Sequence, residues 1–98
     1  MMTIVLEDRK IKTNMYQTRG VADAIEECIV FAGEIMSAMQ KYLKGDWGDT
    51  CSEDCQANTD ALESGARLFA VYKTSKGKVY IITEVDRTIT TILFASEY

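Results

Sequence analysis

Apolar and polar residues alternate along KIKTNMYQT (10–18), with Ile11, Thr13, Met15 and Gln17 on one side and Lys12, Asn14, Tyr16 and Thr18 on the other. A period of two is that of a β-strand. TIVLE just before it adds a short strand or a hairpin arm. After Gly20 the period changes. Ile25, Cys28, Ile29, Ala32, Ile35, Met36, Met39 and Leu43 recur at three- and four-residue steps, which predicts one long helix from Val21 to Lys44. Asp23, Glu26 and Glu27 suit its N-terminal end, Lys41 and Lys44 its C-terminal end. Gly33 is where a bend or split would fall, and Gly45 ends the helix. A second helix fits 51–64, opened by a T-x-x-E capping box of Thr50 and Glu53 and closed by Gly65. Three runs rich in β-branched and aromatic residues follow, RLFAVYK (67–73), KVYIITEV (78–85) and TITTILFA (88–95), separated by turn residues.

The order β-α-α-β-β-β predicts an α+β domain: an antiparallel sheet with two helices packed on one face. The last strands are apolar on both sides, Val79 and Ile81 against Tyr80 and Ile82, then Ile89 and Leu93 against Ile92 and Phe94. Helices on one face leave the other to a subunit, a partner or the N-terminal arm. A homodimer through the sheet is the simplest expectation.

Composition narrows the chemistry. The 98 residues make a single domain (1–98), with no apolar run long enough for a transmembrane helix and no basic-then-apolar start of the signal-peptide kind. Three cysteines without an export signal suggest reduced thiols in the cytoplasm. The absence of histidine excludes serine–histidine and cysteine–histidine nucleophile systems and zinc hydrolases of the HExxH kind.

Charge is distributed unevenly. Residues 1–44 balance six acids with six bases, and 67–98 carry five bases against three acids. Residues 45–66 hold six acids, Asp46, Asp49, Glu53, Asp54, Asp60 and Glu63, with no lysine or arginine. Such a segment repels nucleic acid and attracts basic protein surfaces; the plainer reading is a solvated helix face. Within it Trp47 stands between two glycines, either as a core plug or as an exposed interface anchor flanked by Asp46 and Asp49.

The remaining motifs are weaker. Cys51 and Cys55 lie one helical turn apart, but only Cys28 is left to join them, too few ligands for structural zinc, and the spacing is not C-x-x-C. A calcium loop fails for want of glycine at its sixth position. No phosphate loop or dinucleotide glycine pattern occurs, so no metal, cofactor or catalytic residue is assigned. Around TEVDR, Asp86 can cap a turn and Glu84 can pair with Arg87. The functional alternative groups Arg67, Glu84, Asp86, Arg87, Thr90 and Thr91 as a polar site at one end of the sheet.

GDWGD, Glu53–Asp54 with Asn58, RLFAVY, and the ending built on Ile82, Thr83, Glu84, Asp86, Arg87, Thr90, Thr91, Glu97 and Tyr98 resemble a family of small bacterial proteins. These are met on plasmids, integrative elements and phage-like islands and are labelled "plasmid-related protein". The likeness runs from about Ile11 to Tyr98, with TRG at 18–20 matching one branch. Tyr80 stands where many relatives have tryptophan, Ala95–Ser96 where they have a proline–acid pair, and Lys41–Tyr42 where some have Arg-His. The resemblance implies a setting, the accessory genes of mobile elements, where small acidic proteins disarm host defences.

Three functions are therefore expected to compete. The first is a non-enzymatic inhibitor of a defence nuclease, of CRISPR or restriction type, bound through Asp46, Trp47, Asp49, Glu53, Asp54 and Asp60. The second is a ribonuclease-like toxin using Arg67, Tyr72, Lys73, Tyr80, Arg87 and Tyr98, or another enzyme built on the C-terminal polar cluster. The third is a homodimeric structural or regulatory protein.

Overall fold

A computed structural model describes the backbone of residues 2–6 and 9–98, and side chains from Lys12 onward. Two strands, β1 (Met2–Leu6) and β2 (Arg9–Gln17), lead into α1 (Arg19–Glu27), α2 (Ile29–Leu43) and α3 (Ser52–Ser64). The meander β3 (Leu68–Thr74), β4 (Gly77–Thr83) and β5 (Ile89–Phe94) follows, with a closing 3-10 turn over Ala95–Glu97. The α+β class holds. The sheet order is β1-β2-β5-β4-β3, and one pairing departs from the antiparallel sheet expected: β2 runs parallel to β5, with Asn14 opposite Ile89 and Gln17 opposite Ile92. The helical crossover after β2 allows this, because it carries the chain back before the meander begins. β2 is shared in sequence, its first half pairing with β1 and its second with β5.

Among the described residues the α-helices number three, not two. The long helix divides at Cys28, whose backbone is extended (φ −140°, ψ 110°), and Gly33 continues unbroken within α2. Thr18 caps α1, its hydroxyl accepting from the Val21 N–H. The break re-phases the apolar stripe. Val21 and Ala24 of α1 and Phe31, Ile35, Ala38 and Tyr42 of α2 are buried, whereas Ile29 and Met36, read as core from the sequence, are 89% and 63% exposed.

The core lies between the helices and one sheet face, where Leu68, Ala70, Tyr72, Val79, Ile81 and Ile92 are buried. Phe31 stacks on Phe94, ring centroids 5.5 Å apart. On the opposite face the C-terminal segment folds back: Tyr98 packs its ring against Phe69 and Tyr80. Ile82 and Leu93 on that face are buried, while Tyr16 and Ile89 stay open to solvent. Part of the cover that the sequence left to a subunit thus comes from the chain's own tail.

Candidate functional site

β3 is an edge strand, and the outward peptide groups of such a strand need partners. The segment after α2 supplies them. Asn58 on α3 behaves like a strip of neighbouring strand: its Oδ1 accepts from Phe69 N–H (2.9 Å) and its Nδ2 donates to Phe69 O (2.8 Å). Thr50 Oγ1 accepts from Val71 N–H (2.8 Å), and Asp49 N–H donates to Val71 O (2.9 Å). Asp49 Oδ2 accepts from Lys73 N–H at 2.9 Å. Every second residue from Phe69 to Lys73 is thereby tied to the acidic segment. The edge is closed.

Trp47 lies beneath this lock at 8% exposure, edge-on to Tyr42 at 5.5 Å between centroids. It is a core plug, and the exposed anchor expected in the partner-binding reading is not present. Tyr72 donates its hydroxyl to Asp46 O (2.8 Å), and Asp46 Oδ1 accepts from Gly48 N–H (3.0 Å). Gly48 has φ +62° and passes so close to the Tyr72 ring that a Cβ there would overlap it. Burial pushes the Tyr72 phenol well above its ordinary range, with the charges of Asp46 and Asp49 acting in the same direction.

The capping box does not form. Cys51 is the N-cap of α3 and makes no side-chain cap bond, because the Thr50 hydroxyl is turned to Trp47 O and the Val71 N–H. What α3 presents outward is charge: Glu53, Asp54 and Asp60 are exposed, and among the described residues no ion pair engages Asp46, Asp49 or any of these three. At 100° per residue Glu53 and Asp60 share one side of α3, turned away from the buried Asn58, whereas Asp54 falls in line with Asn58 and Ala61 and is exposed in the helix's first turn. Asp54 borders a shallow cleft of about 270 Å3 shared with Ala57, Asn58, Arg67, Phe69 and Tyr98. No group of three or more metal-ligating side chains occurs among the described residues. No helix there is long and apolar enough to cross a membrane.

The C-terminal polar residues are not one site. Arg67 pairs with Glu84 (3.4 Å) and donates to the Tyr98 hydroxyl (3.1 Å), so Glu84 does not pair with Arg87. Asp86 caps its turn as expected, accepting from Thr88 N–H at 3.0 Å, a bond that lowers its carboxyl pKa. Arg87, at φ +68°, reaches back to the C-terminal turn of α3, where its Nη2 donates to Ala61 O (2.8 Å). Its Nη1 is buried with no hydrogen-bond partner among the described residues. Thr91 is half-buried on the other face of the sheet from Thr90.

Thr90 is fully buried and belongs to a feature the sequence did not disclose. Tyr42 OH, Thr83 Oγ1, Thr90 Oγ1 and Thr13 Oγ1 form an unbroken hydroxyl chain across β4, β5 and β2, with successive distances of 2.6, 2.7 and 2.7 Å. Each interior hydroxyl has a hydroxyl neighbour on both sides, so the buried polar groups satisfy one another. Desolvation raises the Tyr42 phenol strongly. The sequence placed Thr13 on one side of a strand, Thr83 in the C-terminal motif and Thr90 in a polar cluster at the sheet end; their convergence depends on the β2–β5 pairing. Tyr72 is buried, and Arg67 and Arg87 are held by intramolecular partners, which disperses the set that a ribonuclease would need.

Comparison with known proteins finds no matching family model, no matching curated protein and no matching solved structure.

Proposed function

We propose that this is a binding protein whose working surface is the exposed carboxylates of α3, directed at a basic protein surface of the kind that holds nucleic-acid phosphates. One observation carries the reading. Glu53, Asp54 and Asp60 stand exposed and, among the described residues, without ion pairs on a helix pinned to the sheet edge, in a stretch (45–66) with no lysine or arginine. Pinning matters because a preorganised set of charges loses little freedom on docking. Complementary charge then speeds encounter and selects the partner. The resemblance to plasmid-related proteins favours a defence nuclease, of CRISPR or restriction type, as the class of target, blocked by carboxylates that occupy its phosphate channel. The cytoplasm is where such a target would be met.

The test is nuclease cleavage by purified CRISPR effectors and restriction enzymes, with and without the protein. The variant is Glu53→Lys/Asp54→Lys/Asp60→Lys; Asp49 is left intact, because its carboxylate holds the Lys73 amide. Inhibition that fades as salt rises and disappears in the triple variant is expected. Equal inhibition by the triple variant, or none by the native protein across the panel, rejects the acidic surface.

A further inference from the structure

α2 is apolar on two opposite sides. Its inward side carries Phe31, Ile35, Ala38 and Tyr42. At 100° per residue the opposite pole falls on Gly33 and Gln40, with Ile29 and Met36 on one flank and Val30 and Ser37 on the other. Ile29, Val30 and Met36 are 89%, 62% and 63% exposed. Glu34 is the one charged side chain between Ile29 and Gln40, and it is engaged elsewhere, accepting from the Ser75 N–H (2.9 Å) and hydroxyl (2.7 Å). A surface helix ordinarily sets charge on its outer face, and one that is apolar all round is a buried helix.

We infer that α2 packs against α2 of a second copy of this chain, antiparallel, about a two-fold axis at Gly33. The stripe is self-complementary about that residue: the axis places Ile29 opposite Met36 of the second copy and Val30 opposite Ser37, each contact occurring twice, as an isologous interface requires. Gly33 permits a close crossing, since a Cβ built there would meet nothing within 4 Å. The charges agree with the antiparallel sense. Exposed Glu26 and Glu27 precede the N-terminus of α2, and exposed Lys41 and Lys44 stand at its C-terminus, so each acidic end meets a basic end. This interface lies on a different element from the acidic surface of α3 and does not depend on its function. It also differs from the dimer through the sheet that the strand pattern suggested.

Sedimentation velocity on the full chain is the direct measurement, with Met36→Glu and Val30→Glu as variants. Both positions are solvent-facing in the monomer, so circular dichroism should report an unchanged fold. A dimer is expected at about 10 μM, weakened by roughly a hundredfold or more in either variant, because each symmetric interface would bury two unpaired carboxylates. Mild oxidation of Gly33→Cys should give a disulfide-linked dimer well above the native level, while Val85→Cys, exposed in the β4–β5 turn, should not. A native protein that stays monomeric, or a dimer that survives Met36→Glu and crosslinks no better through Gly33→Cys than the native chain, overturns the proposal.

Discussion

Thr83 illustrates how much one hydroxyl can hold. It sits between Tyr42 OH and Thr90 Oγ1, at 2.6 and 2.7 Å, with no exposure to water. Thr83→Val keeps the shape but strands the Tyr42 hydroxyl and leaves Thr90 with Thr13 alone, and should cost about 1–3 kcal/mol in urea unfolding. Adding Tyr42→Phe should cost less than the sum of the single changes, because the second change removes a hydroxyl already left unpaired. Trp47 and Thr50 teach a related lesson. Trp47 was visible as either a core plug or an anchor and Thr50 as a capping-box residue, but the tryptophan's burial and the hydroxyl's choice of β3 over the helix end depend on which groups lie nearby in space.

At the level of elements, the acidic segment serves the sheet as well as solvent. A strand edge left open is a template for aggregation, and here Asn58, Thr50 and Asp49 occupy it in turn. Asn58→Ala removes both bonds to Phe69 and should destabilise the protein by about 2 kcal/mol. Its local signature is hydrogen exchange: the Phe69 amide should lose protection before its neighbours in β4. Uniform loss across the sheet would mean that Asn58 merely supports α3. Helix and strand identities were legible because each follows a local period. The split at Cys28 was not, since the apolar spacing runs on across it and only packing of α1 and α2 against different parts of the sheet selects the extended backbone there.

For the molecule as a whole, two buried phenols are expected to set the alkaline limit. Tyr42 and Tyr72 both have pKa values raised above the ordinary 10, chiefly by burial. A raised folded pKa means that the unfolded chain ionises first, so stability holds below about pH 10 and falls as pH climbs beyond it. Urea midpoints between pH 8 and 11.5 should trace this decline. Tyr72→Phe, though weaker at neutral pH for loss of the bond to Asp46 O, should flatten the slope. A slope unchanged by Tyr72→Phe would place the alkaline sensitivity elsewhere.

Local order is what the sequence determined by itself. The α+β succession, the strand runs, the ends of the helices at Gly45 and Gly65, the absence of histidine and the crowding of carboxylates into 45–66 are all properties of neighbours along the chain. Tertiary structure decided the rest: the parallel β2–β5 pairing, the burial of Trp47, the dispersal of Arg67, Glu84, Asp86, Arg87, Thr90 and Thr91, and the hydroxyl chain that reaches from Thr13 to Tyr42. The physical reason is the freedom of polar side chains. A hydroxyl, an amide or a guanidinium can bond to any group within about 3 Å, and sequence spacing does not say which groups a fold will bring that near.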